Sequence, residues 1–198
     1  KLDNKKMNII IFGPPGAGKG TQAKLIAENS DLHHLSSGEL SRQMQKDKQM
    51  GEKIKHWLEK GQLIPNSIII NIVKKYIINN QDEKGFIFDG YPRNLGQAKE
   101  LDKFAKKNKT KIDLVINLKL SEEEALKRIL KRGKISGRSD DNLKTTKNRL
   151  HIYKTRTEPI LDYYRKRKIL KEVDGKRTIK QIEKEIKKII SQETKKTD

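Results

Sequence analysis

Gly13-Pro14-Pro15-Gly16-Ala17-Gly18-Lys19-Gly20-Thr21 is the stretch whose reading decides the fold. Ile9, Ile10, Ile11 and Phe12 run straight into it, and a helix-compatible stretch, Gln22 to Glu28, leaves it. Strand, glycine-rich turn and helix form the context in which such a loop binds phosphate. Glycines lack Cβ atoms, so consecutive backbone N–H groups can turn toward one anion. The helix adds its unpaired first-turn donors and the positive end of its dipole. Lys19 supplies a movable charge, and the Thr21 hydroxyl can reach a phosphate or its magnesium ion.

Outward from the loop, strands alternate with helices. Asn8 to Phe12 has no polar alternation, so both faces of that strand must be covered. Leu32 to Leu35, Phe86 to Phe88, Leu114 to Leu118 and Ile169 to Val173 supply four further strands. Helices are expected over Gly38–Lys48 and Glu52–Lys60, broken near Gly51, then from Pro65 to Ile78 and from Leu95 to Lys106. Another runs from Ser121, with Glu124 three residues on, to Arg132. A long stretch from Leu143 to Lys166 carries Pro159 as a kink or break. Ile179, Ile182, Ile186 and Ile189 line one face of the last helix. The pattern predicts an α/β fold of the phosphate-loop type, three layers with a five-stranded parallel sheet covered on both faces. Ligands of such sheets bind beyond the carboxyl ends of the strands. The glycine loop and Asp89, which closes an apolar strand, both lie at that edge.

Composition narrows the class. A chain of 198 residues fits one compact domain, with residues 1–6 as a flexible leader. There is no cysteine, which removes disulfides and thiolate zinc sites. No apolar run spans a bilayer, and the one after the charged leader is too short for a signal peptide, so a cytoplasmic location is expected. The net charge of +20 is spread along the chain with aromatics at only 5%. A dedicated nucleic-acid surface would cluster its cations with aromatics, so these lysines read as solvated surface. Arginine is used more selectively: Arg42, Arg93, Arg128, Arg132, Arg138 and Arg149 stand at expected loops or helix ends. Its planar fork suits phosphate. Asp89 leads into Gly90-Tyr91-Pro92-Arg93, a tight turn that presents Arg93 to the same sheet edge.

The loop with Gln22 resembles that of the nucleoside monophosphate kinase family, adenylate kinases above all. So does an ordered set of further segments: His34 to Arg42, Gly61 to Pro65, Phe88 to Arg93 with Gln97, Lys131 to Gly133, and Ser136 to Asn142 with Arg149. The matches cover roughly residues 8 to 180. The resemblance implies a single kinase domain over 7–198. Its core is 7–35, 66–131 and 142–198, with an AMP-binding insert over 36–65 and a short lid over 132–141. It implies that Gly16, Ala17, Gly18, Lys19, Gly20 and Thr21 hold the ATP phosphates, and that Arg128 stacks on the ATP adenine. Arg177 would sit where a backbone carbonyl reads that base. Ser37, Arg42 and Gln97 would contact AMP, together with the backbone of Gln62, Leu63 and Ile64 and the turn of Gly90, Tyr91, Pro92 and Arg93. Arg132 on the ATP side, and Arg138 and Arg149 toward AMP, would clamp the phosphates during transfer. Lys19, Arg93, Arg132, Arg138 and Arg149 would neutralise the moving phosphoryl group. Asp89 and Thr21 would hold Mg²⁺, through water.

Departures are few. Gly20 separates Lys19 from Thr21, Ser37 replaces the commoner Thr, Glu39 stands for Asp and Tyr91 for Phe. The implied activity is reversible phosphoryl transfer from Mg·ATP to AMP by a monomer acting on small nucleotides, with no specific nucleic acid and no membrane as partner. Two alternatives stay open. A UMP/CMP kinase of the same family is favoured by Asn94 and the 136–142 run, and opposed by Ser37 and Gln97. A basic nucleic-acid-binding protein is opposed by the intact Lys19, Asp89 and arginine set. The four histidines, His33, His34, His56 and His151, are assigned structural or surface places.

Overall fold

A computed structural model of the chain describes residues 6–81, 83–136 and 140–195, apart from the Ser136 side chain. The expected leader, residues 1–6, therefore lies outside the described residues except for Lys6. Arg138 also lies outside them, as do residues 137 and 139 of the expected short lid.

Strand β1 (Ile9–Phe12) has all four residues buried. Successive side chains of a strand point to opposite faces, and here that alternation builds two cores. Ile9 and Ile11 join Ala23, Ile26, Ile182 and Ile186 on one side of the sheet. Ile10 and Phe12 join Leu101, Ile160, Leu161 and Tyr164 on the other. Full burial of each such side chain contributes about 1.5–3 kcal/mol.

The other strands are β2 (His33–Ser36), β3 (Phe86–Asp89), β4 (Leu114–Lys119) and β5 (Leu170–Asp174). They pair in parallel in the order β2-β3-β1-β4-β5, as the continuous apolar runs require. β1 has β3 on one side and β4 on the other, so the chain changes direction across the sheet at the glycine loop. A crevice opens there beyond the strand ends. The start of β1 is pinned by Asn8. Its side chain donates to the Thr110 hydroxyl and the Lys111 carbonyl and accepts from the Phe86 N–H.

The helices are α1 (Lys19–Ser30), α2 (Ser37–Gln43), α3 (Gly51–Glu59), α4 (Asn66–Asn79), α5 (Leu95–Lys107), α6 (Glu122–Ser136), α7 (Leu143–Ile152), α8 (Pro159–Lys166) and α9 (Ile179–Lys195). Three stretches depart from the sequence reading by more than a residue or two, each for a local reason. The helix expected over Gly38–Lys48 ends early, at Gln43, in a tighter 3₁₀ turn (Met44–Lys46). Gly51 then packs so closely that a Cβ there would stand 2.3 Å from the Gln45 carbonyl oxygen. α6 does not stop at Arg132 but runs on through Gly133. A helical glycine costs only about 1 kcal/mol, and this one makes room for the Asp141 carbonyl, 2.7 Å from where its Cβ would be.

The long 143–166 stretch opens into a π-turn over Tyr153–Thr157, before Pro159. Proline's ring clashes with the carbonyl four residues back, and the Glu158 N–H bonds the Tyr153 carbonyl five residues back instead. In α9 the buried residues are Ile182, Ile186 and Ile190, while Ile179, at the helix start, is exposed. No helix among the described residues is long and apolar enough to cross a membrane.

Candidate active site

The glycine loop closes over the C-terminal end of β1 because three positions accept backbone that other residues resist. Gly13 (φ +147°), Gly16 (φ +84°) and Gly18 (φ +88°) all lie at positive φ. Gly16 also rests on α6, where a Cβ would meet the Ala125 carbonyl at 2.7 Å. Ala17 is buried beneath the loop. The Lys19 ammonium donates to the Gly13 and Pro14 carbonyls of its own loop at 2.8 and 2.9 Å. Burial lowers its pKa to about 8; Asp89 opposes the shift, and the Arg93, Arg149 and Arg132 charges add to it. The departure at Gly20 acquires a reason. A Cβ there would lie 3.2 Å from Asp89 Oδ2, so the missing side chain leaves room for that carboxylate against the first turn of α1.

Asp89 ends β3 beside β2. The Ser36 hydroxyl donates to its Oδ2 at 3.3 Å, and His34 Nε2 lies 3.7 Å from the same oxygen. Burial pushes the carboxyl up, but His34, Lys19 and Arg93 together outweigh it and hold Asp89 below the usual carboxylate range. An ionised carboxylate and the Thr21 hydroxyl border one cavity. Both are hard oxygen donors of the kind Mg²⁺ takes. No cluster of three or more His, Cys, Asp or Glu that could hold a metal occurs among the described residues. An ion here would therefore share its coordination with phosphate oxygens and water.

The Asp89-Gly90-Tyr91-Pro92-Arg93 turn carries a cis Tyr91–Pro92 bond. Gly90 (φ +74°) accepts the Ser37 hydroxyl on its carbonyl at 2.7 Å, which fastens the start of α2 to the turn. The same carbonyl accepts Arg93 Nε at 2.7 Å. The Arg93 backbone is gripped from two sides: its N–H donates to Gln97 Oε1 at 2.7 Å, and its carbonyl accepts the Thr157 hydroxyl at 2.8 Å. The terminal nitrogens of Arg93 have no protein partner among the described residues. Burial, then the neighbouring Arg149 charge, lowers its pKa to about 10. A guanidinium with unused donors, held beside another cation, is an anion site.

Arg132 and Arg149 reach the cavity from α6 and α7, and carboxylates hold both. Asp141 accepts Arg132 Nε and Nη2, each at 2.7 Å. Arg149 Nη1 donates to Asp140 Oδ2 and to Asp141 Oδ1, each at 3.0 Å. The bidentate bond from Asp141 raises the Arg132 pKa. Burial alone would raise that of Asp141, but the two arginines lower it.

The resulting cavity, about 520 Å³, is bordered by Gly16, Gly18, Lys19, Gly20 and Thr21 of the loop. Arg42, Leu63, Asp89, Gly90, Pro92, Arg93, Arg132 and Arg149 complete the expected residues that border it. Other expected residues stand off it. Tyr91, Ile64 and Gln97 are buried behind its wall, and Gln62 is exposed with its N–H on the Trp57 carbonyl. Arg128 lies across the Gly175 carbonyl and Glu124. The Arg177 side chain turns away to Glu185 and Asp174.

His34, Ser36, Tyr153 and Thr157 stand at the site although the sequence reading assigned them no role there. His34 and Ser36 do lie within the 34–42 segment that carries the family resemblance, which is their local signal. Thr157 offers none, since it meets Arg93 from 64 residues away.

A family model described as adenylate kinase matches residues 11–169. Among similar curated proteins is an adenylate kinase of Parabacteroides distasonis, 45% identical over 159 residues, covering 80% of this chain and 84% of the relative. One of Azobacteroides pseudotrichonymphae is 43% identical and covers 89% and 93%. One of Archaeoglobus fulgidus is 40% identical and covers 93% and 98%.

Proposed function

This chain belongs to the adenylate kinase family, and we propose that it catalyses the reversible transfer of the terminal phosphoryl group of Mg·ATP to AMP, giving two ADP. The observation that carries the reading is the convergence at one sheet edge of the Lys19 loop, ionised Asp89 and the unpartnered fork of Arg93. A donor polyphosphate would lie along the loop, drawing Lys19 off its own carbonyls. Asp89 and Thr21 would hold a magnesium ion whose charge neutralises the donor phosphates when bound. The acceptor phosphate would take Arg93 and Arg42, with its base between Leu63 and the Gln97 amide. Arg132 and Arg149 would exchange the carboxylates of Asp140 and Asp141 for phosphate oxygens. Charge neutralisation and alignment carry such a reaction, with no covalent intermediate on the protein. The same proposal takes the protein to be a cytoplasmic monomer acting on free nucleotides.

A monophosphate panel with ATP as donor tests this. AMP is expected to exceed UMP and CMP in kcat/KM by at least about tenfold. Preference for UMP or CMP would replace the acceptor; no transfer to any of the three would remove the activity.

Lys19 gives a pH signature. Its pKa of about 8 in the free protein means that the ammonium is charged below that pH and neutral above it. Phosphate favours the charged form, so the dissociation constant for ATP should rise above pH 8, approaching about tenfold per pH unit. Calorimetric titrations between pH 7 and 9.5 should show this rise in the native protein and a flat profile in Lys19→Met.

A further inference from the structure

We infer that Thr157 is a positioning residue for the transfer, acting through Arg93. The π-turn Tyr153–Thr157 swings it onto the cavity wall, where its hydroxyl holds the Arg93 fork at a fixed spacing from Arg149. The inference rests on the proposed transfer to AMP and on Arg93 as a contact of the phosphate groups.

Arg149, Tyr153 and Thr157 all border the cavity, spaced four residues apart. An α-helix turns by about 400° over four residues, so each step would overshoot by about 40°. Along an unbroken α-helix Thr157 would therefore point about 80° away from Arg149. A π-turn closes on the fifth residue rather than the fourth and so turns less per residue. The one over Tyr153–Thr157 takes out most of the overshoot. Pro159, which has no N–H and clashes with the carbonyl four residues back, disfavours the tighter turn. The Glu158 N–H closes the wide one on the Tyr153 carbonyl at 2.8 Å.

On that wall the Thr157 hydroxyl donates to the Arg93 carbonyl at 2.8 Å, across 64 residues of chain. Thr157 is only 7% exposed, so water does not readily take its place. The other partners of Arg93, Gln97 and the Gly90 carbonyl, lie within four residues of it. They shape the turn but do not place it against α7. Thr157 does, because it belongs to the same helical run as Arg149. The Arg93 and Arg149 charges repel each other. Asp140 and Asp141 tether Arg149, and the Thr157 bond is the matching tether on the Arg93 side. A phosphoryl group shared by both cations needs that spacing held, since a misplacement of about 1 Å can cost about 10²-fold in rate.

Thr157→Val keeps the shape of the side chain and deletes the donor. It should lower kcat/KM for AMP by about 10–10²-fold, through kcat as well as KM. The calorimetric dissociation constant for ATP should stay within about twofold of native. Thr157→Ser restores a donor and should recover most of the rate. The deciding measurement is a double-mutant cycle. In an Arg93→Met background the fork is gone, so adding Thr157→Val should cost less than about twofold in rate. The melting temperature should still fall by about 2–4 °C in both backgrounds, because the Arg93 carbonyl is backbone and loses its partner in each. An equal rate loss in both backgrounds, an equal loss in Thr157→Ser, or a melting shift without rate loss overturns the inference. Native turnover in Arg93→Met alone, or failure of the native protein to use AMP, overturns the proposed transfer instead, and shows before Thr157 is changed.

Discussion

Lys19→Ala is expected to lower turnover in a coupled ADP assay by about 10³-fold or more while the protein stays folded. Lys19 contributes no packed side chain to either core. Its ammonium meets only two carbonyls of its own loop, and its lowered pKa shows that the folded protein holds that charge at a cost. Removing it takes the movable cation from the donor phosphates and leaves the sheet intact. Circular dichroism and thermal melting should match the native protein closely. Turnover within tenfold of native would remove Lys19 from the chemistry and, with it, the proposed course of the transfer.

Arg93→Met is expected to reduce kcat/KM by about 10³–10⁵-fold, the range an arginine on a moving phosphoryl group can supply. Met keeps much of the apolar stem and deletes the fork. The native guanidinium is buried beside Arg149 with its terminal donors unused, an arrangement that favours an anion rather than the fold. Melting temperature should therefore change little, since relief of the repulsion from Arg149 offsets the lost Nε bond to the Gly90 carbonyl and the lost attraction to Asp89. Arg93→Lys should recover only part of the rate, because an ammonium cannot grip phosphate bidentately. A variant that loses stability and keeps its rate would make Arg93 a structural residue.

These two residues were legible for different reasons. Lys19 belongs to a contiguous motif, and a loop of glycines before a helix announces its chemistry within nine residues. Arg93 was visible because a tight Gly-Tyr-Pro turn follows an acid at a strand end. Arg128 and Arg177 were equally visible as residue types, yet their side chains lie in contacts with Glu124, Gly175, Glu185 and Asp174. His34 takes a structural place in the sequence reading because the expected phosphoryl transfer needs no histidine. Its meaning arises from register, which pairs Ser36 with Asp89 across two strands and brings the His34 ring within reach of that carboxylate. Gln97 was expected at the base; its amide proves to be held by Arg93 and Asn66.

Short runs of residues are enough to dictate the parallel sheet, the loop and the edge at which ligands gather. Four apolar residues in a row must bury both faces of a strand, and glycine tolerates positive φ wherever it stands. Those are properties of short segments. Which arginines keep free donors, which carboxylates hold the rest, and which groups bond the Gln97 amide follow from the folded arrangement of separate segments. A long side chain reaches several groups from one backbone position. The group it bonds is chosen among the partners that the fold brings within reach: Asp141 for Arg132 and Arg149, and Asn66 for Gln97.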